Sequence, residues 1–341
     1  MARRAAHPET FRPEQAAGAA STLRLVVSPY HLTTRELPAT VALMLADAAV
    51  TLVPEPAEGR SREAVREAVS RVPRLLRVLE SWRWSGPLWR AGLVGGTAPG
   101  GEAAFAGVAG AERDMFSDAL LASITGRALQ HQSVPGDQAD RWLDAVCTDL
   151  LKGGPDPLIS TAIAGALDRL AGANGLVTVR GPTESLAQRA EVRLMRRVFS
   201  IALPVMSRAA GGRIALLRID LRKQLAELRS AMLSAFSGGP TASLAVAAAS
   251  YTEAFEEWFA RASRDDENTE RTMRDYVNVS GAMLPPDAAF ISARAAVRGV
   301  SRATRGAGLP ATALPPDART DQPPPQMVRT LIVRPMNVRP V

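Results

Sequence analysis

Seven consecutive residues, Tyr30-His31-Leu32-Thr33-Thr34-Arg35-Glu36, bring together a phenol, an imidazole, two hydroxyls, a guanidinium and a carboxylate. Histidine ordinarily titrates near neutrality, and arginine keeps its charge at any working pH. The segment leaves an apolar strand-like run, Leu23–Val27, and enters an apolar helical pattern. Exposed N–H groups and the positive end of a helix dipole at such a junction favour an anion. Tyr30, His31, Thr33, Thr34 and Arg35 are therefore candidate ligand-binding residues for a small anionic ligand. A structural reading stands beside this one. Thr33 or Thr34 would cap the helix, Glu36 would be a first-turn acid, and Tyr30 and His31 would be packed.

Lys152-Gly-Gly-Pro-Asp156-Pro is a second place to look, where Lys152 could meet a carboxylate or phosphate and Asp156 sits in a rigid turn. Ordinary helix termination explains the same letters: lysine in the last turn, glycine after it, proline beyond. Trp82, Trp84 and Trp89 alternate with Arg83 and Arg90, a composition able to stack bases. Trp82 falls on an apolar helical stripe, and the others flank Gly86-Pro87, so a structural corner or protein contact is the expectation.

The rest is sparse in chemistry. The chain has no GxGxxG after a strand, P-loop lysine, HExxH, GxSxG or CxxC. Three histidines (His7, His31, His131) and the acidic run Asp265-Asp266-Glu267 offer no recognisable ligand spacing, so the expectation is no metal and no cofactor. Cys147 alone makes no disulfide framework and reads as a buried, inert thiol.

The elements that would hold these groups follow from periodicity. Leu23–Val27, a helix over about 37–47 and Val50–Val53 suggest a small βαβ unit. Over residues 23–54 this resembles the opening of glutathione-transferase and other thioredoxin-like proteins, with Ser28-Pro29-Tyr30 between strand and helix. Val72-Pro73-Arg74-Leu75 and Glu80-Ser81 mimic that family's next letters. They sit in a helical pattern and too close together, and no catalytic residue is carried over. Residues 95–110 read as a loop. Helices are expected near 61–72, 73–82, 113–130, 136–152, 159–172, 183–206, 212–236, 241–259 and 286–300, with strands near 176–179 and 277–283. The expected fold class is α+β, predominantly α-helical: a small N-terminal βαβ element followed by a large helical body. Its units are an arm over 1–22, βαβ plus helices over 23–152, a helical domain over 153–300, a Pro-rich linker over 301–326 and a C-terminal docking strand over 327–341.

Charge bears on partners. The 341 residues carry a formal +7, yet six arginines against Asp317 and Asp321 put +4 beyond residue 300, and the arm holds +1. The body is thus nearly neutral, which points away from a nucleic-acid reader. No secretory pattern or membrane-length apolar run is present, so a cytoplasmic protein without a membrane span is expected. A proline-stiffened linker ending in Val328, Leu331, Ile332 and Val333 reads as a clip for a sheet edge, in cis or in a partner. The functional expectation is a non-catalytic interaction or scaffold protein, with a protein partner or self-association. The alternative is an enzyme or binding protein for a small anion at residues 28–36.

Overall fold

The computed structural model describes residues 22–53, 62–97, 136–181, 196–264, 273–284 and 327–336. Nearly all of the expected arm and linker lie outside these residues, as do the helices expected near 113–130 and 286–300, His7, His131 and Asp265–Glu267. Among the described residues seven strands join in one sheet: β1 (Arg24–Val27), β2 (Ala48–Leu52), β3 (Val94–Thr97), β4 (Val177–Arg180), β5 (Arg196–Ser207), β6 (Met273–Leu284) and β7 (Val328–Pro335). Their order is β3-β2-β1-β4-β7-β6-β5. The first five in that order run parallel. The last three form an antiparallel ladder, with β6 between β7 and β5.

This corrects the expected fold class. The molecule is α/β, organised on a seven-stranded mixed sheet, and not a helical body with a small βαβ appendage. Two segments account for the difference. Arg196–Ser207, expected as the end of a helix, is the long strand β5. Its Phe199, Ile201, Leu203 and Val205 recur every second residue, and Pro204 would break a helix but is tolerated on an edge strand. The segment containing Val328, Leu331, Ile332 and Val333 pairs with β4 on one side and β6 on the other. It is an interior strand of its own sheet, not an addition to an edge. Burial of nearly every residue from Val328 to Val333 fits a strand covered on both faces. Thr330 lies opposite Thr178 of β4, and their hydroxyls share a 2.8 Å hydrogen bond.

Helices connect and cover the sheet: α1 (Pro29–Thr34), α2 (Leu37–Leu45), α3 (Arg62–Arg71), α4 (Pro73–Ser81), α5 (Gly86–Arg90), α6 (Gly136–Leu151), α7 (Pro157–Asn174), α8 (Gly211–Asp220), α9 (Arg222–Phe236) and α10 (Thr241–Arg264). A 3₁₀ turn over Arg83–Ser85 precedes α5. The helix expected over 212–236 is two, divided at Leu221. Thr97 ends β3 where a loop was expected from residue 95.

α2 is apolar all round, and every residue from Pro38 to Leu45 is buried. Its C-terminal carbonyls cannot reach water, so they need internal donors. Arg218 of α8 donates to the carbonyls of Leu43 (2.9 Å), Met44 (3.3 Å) and Ala46. Arg229 of α9 donates to the Leu45 carbonyl and, at 2.7 Å, to Asp47 Oδ1. The other oxygen of Asp47 accepts the Leu23 N–H at 2.7 Å, at the start of β1. Burial lowers the affinity of both guanidinium groups for their protons, Arg218 to about 10. The helix dipole favours positive charge at this end. α2 is thereby anchored, which fixes the turn at Arg35 and Glu36 before it.

Candidate functional site

Chain direction places the candidate segment. From β1 the chain passes to β2 on one side, whereas β4 lies on the other. In open α/β sheets the crevice outside the carboxyl ends of the strands, where the order reverses, is the usual ligand position. Residues 28–36 leave the carboxyl end of β1 at this point. Ser28 is extended (φ −65°, ψ 135°), and its hydroxyl accepts the Tyr30 N–H at 3.3 Å. Pro29 then opens α1, which is a single short helix where a loop was expected. Arg35 ends it in the left-handed region, φ 54°, an uncommon conformation for a residue with a side chain.

That turn sends Glu36 back over α1. Glu36 occupies the N-cap position of α2 without capping it by its side chain. Its carboxylate instead accepts from His31 Nδ1 at 2.7 Å and from the Thr34 hydroxyl at 2.8 Å. The His31 hydrogen bond leads in holding the Glu36 carboxyl below its ordinary range, against an opposing effect of burial. An ionised Glu36 needs a donor, so the neutral imidazole carries its proton on Nδ1 and leaves Nε2 as an acceptor. Among the described residues Nε2 has no hydrogen-bond partner. A Cβ on Gly181, the residue after β4, would stand 3.5 Å from His31 Cε1 and 3.4 Å from Pro38 Cγ. The exits of β1 and β4 therefore meet at the imidazole.

Neither threonine caps α2. Thr33 Oγ1 donates to the Pro29 carbonyl at 2.8 Å, and the Thr34 hydroxyl shares its one proton between Glu36 and the Tyr30 carbonyl, which lies at 2.9 Å. Tyr30 points inward, and its hydroxyl donates to Asp149 Oδ2 on α6. Burial is the main cause raising the Tyr30 phenol, and it also raises the Asp149 carboxyl against the hydrogen bonds that carboxyl receives.

The two candidate segments come together. Asp149 Oδ1 accepts the Asp156 N–H at 2.7 Å, and Asp156 Oδ1 accepts the Ile159 N–H at 3.4 Å as α7 begins. Gly153 and Gly154 between them have φ of 79° and 83°, which closes α6. A Cβ on Gly154 would lie 3.2 Å from the Tyr30 ring, and one on Gly153 would lie 3.9 Å from the Thr34 methyl. Arg35 follows Thr34 directly, and Lys152 precedes the glycine that approaches it; both are exposed. Neither has an ion-pair partner among the described residues. Asp156, the other residue singled out there, serves as helix cap.

The tryptophans frame the loop. Trp82 Nε1 donates to Thr33 Oγ1 at 2.9 Å, and Trp84 Nε1 donates to the Leu32 carbonyl at 3.0 Å. Trp89 stacks on Trp82 with ring centres 6.2 Å apart. The Arg35 guanidinium lies 5.7 Å above the Trp84 ring. Buried as they are, these rings form a structural corner. Sequence reasoning missed Asp149, Gly181 and the bond from Glu36 to His31. Asp149 lies 119 residues from Tyr30 and carries no local signal.

Cys147 is fully buried, and burial pushes its thiol up. Among the described residues no cluster of His, Cys, Asp or Glu could hold a metal ion. No described helix is long and apolar enough to cross a membrane. No protein-family model, curated protein or solved structure matches the chain. Function must therefore be argued from this geometry.

Proposed function

We propose that the protein binds a small anionic ligand, carrying a phosphate or carboxylate group, at the carboxyl ends of β1 and β4. The observation that carries this reading is His31 Nε2, which has no hydrogen-bond partner among the described residues and stands where the exits of β1 and β4 meet, with exposed Arg35 and Lys152 on the neighbouring turns. Arg35 offers a planar fork of donors matched to such oxygens, with its guanidinium 5.7 Å over the Trp84 ring. Lys152 adds a second positive charge. His31 Nε2 accepts from a ligand hydroxyl when neutral and donates to an oxyanion when protonated, with Glu36 steadying either form. The interaction-scaffold reading rests on sparse catalytic-type residues, long amphipathic helices and a terminal docking strand, and the last of these is occupied inside its own sheet.

Thermal unfolding in inorganic phosphate, against chloride at equal ionic strength, tests the proposal. A ligand at a hundredfold excess over its Kd stabilises by about 2.7 kcal/mol, a rise in Tm of roughly 4 °C for a chain of this size. Arg35→Ala and Lys152→Ala should each shrink that rise. An equal rise in wild type and both variants, or none in any of them, would count against the site.

A further inference from the structure

The other end of the sheet carries a different surface. β5 is its last strand, and among the described residues the outer edge of β5 is unpaired. A long edge strand is a template for another chain unless something blunts it. Two features interrupt β5: the register shift between Arg197 and Phe199, and Pro204, which has no N–H. They bracket a short regular stretch centred on Ile201.

Beside this stretch an open groove of about 540 Å³ runs between β5 and α10. Ser200, Ile201 and Ala202 form one wall, and Ala245, Ala249 and Glu253 stand along the other at helical spacing of four. The small side chains let another backbone approach closely, and Val246 next to them is 72% exposed. Glu256 bonds Arg274 and Tyr276, which lie opposite Met206 and Pro204, so α10 advances in the same direction as β5. Acidic residues of α10 therefore stand toward the carboxyl end of β5. Arg196 and Arg197 are exposed at its amino end.

We infer that this edge joins a second copy of the chain, β5 against β5 in antiparallel register about a twofold axis at Ile201. A twofold contact must be self-complementary, and this edge meets that condition. Antiparallel pairing at Ile201 brings the Arg197 end of one copy toward the Val205 end of the other, where Glu253 and Glu257 are exposed. Each copy thus presents its basic end to the acidic end of its mate. The two sheets continue as one, and the alanine ridges of α10 close over the seam.

Sedimentation of the full chain from low micromolar to several hundred micromolar concentration tests this, with circular dichroism to confirm folding. Wild type should dimerise, and Arg197→Glu and Glu253→Arg should each weaken the dimer about tenfold or more, because like charges then meet twice. An equimolar mixture of the two variants should recover a heterodimer, since opposite charges face each other at both contacts. Misfolding of either variant could not give that recovery. Monomeric wild type, a dimer indifferent to both substitutions, or a mixture no tighter than its parts would each overturn the inference. Phosphate binding at His31 is read separately and is untouched by any of these results.

Discussion

The two halves of the sheet bury their strands by different means, and chemistry collects in different places as a result. In β3, β2, β1 and β4 the strands are four or five residues long and parallel, and β2, β1 and β4 are covered on both faces. Each parallel step needs a crossover, so loops gather at the carboxyl ends, and Tyr30–Glu36, Gly153–Gly154 and Gly181 meet there. In β6 and β5 the strands are twelve residues long and antiparallel. Such a ladder needs no crossover, and what it leaves open is the side of a strand. One half presents a polar crevice and the other a backbone edge.

The largest effect should come from removing the strand that joins the halves. Truncation before Met327 deletes β7, and urea unfolding monitored by circular dichroism should lose its cooperative transition. A truncated chain that unfolds as wild type does would show the halves to be independent. Next is Arg229→Ala. Breaking a buried ion pair by removing one partner typically costs about 3–5 kcal/mol. Asp47 is one-third exposed, so the lower end, about 3 kcal/mol, is expected from denaturant midpoints. Tyr30→Phe should cost less, about 1.5–3 kcal/mol, the range for a hydrogen bond to a charged group. Coupling to Asp149→Asn in a double-mutant cycle would confirm that this bond ties α1 to α6.

The smallest effect is a pH dependence. The Glu36 carboxyl is lowered in the folded protein, chiefly by its bond to His31. Its contribution is then present above the unfolded value of about 4.3 and is lost as pH falls through the lower folded value. With Glu36 half exposed, the slope will be shallow. It should flatten further in His31→Ala, and an unchanged stability profile in that variant would detach Glu36 from His31.

Legibility in the sequence follows the same division. β1, β2 and β4 could be read because strands buried on both faces are short apolar runs between breakers. β5 is harder to recognise, because Arg196 and Arg197 precede the alternation of Phe199, Ile201, Leu203 and Val205 and do not share it. β7 was recognisable as a strand, but its partners are set by contacts across more than forty residues of sequence, and no local pattern shows an interior place. At the site, Tyr30–Arg35 stood out by residue type. That Glu36 faces His31 depends on the left-handed turn at Arg35, which no residue preference foretells. Asp149 and the tryptophan frame are joined to the loop only by folding.

The most direct measurement is the imidazole proton spectrum during a phosphate titration at constant ionic strength, with His31 assigned by the loss of its resonance in His31→Asn. A bound anion beside Nε2 should shift and saturate the His31 signal in wild type and leave it nearly still in Arg35→Ala. A His31 signal that ignores phosphate in wild type, or that moves equally in Arg35→Ala, would contradict an anion site at the meeting of β1 and β4.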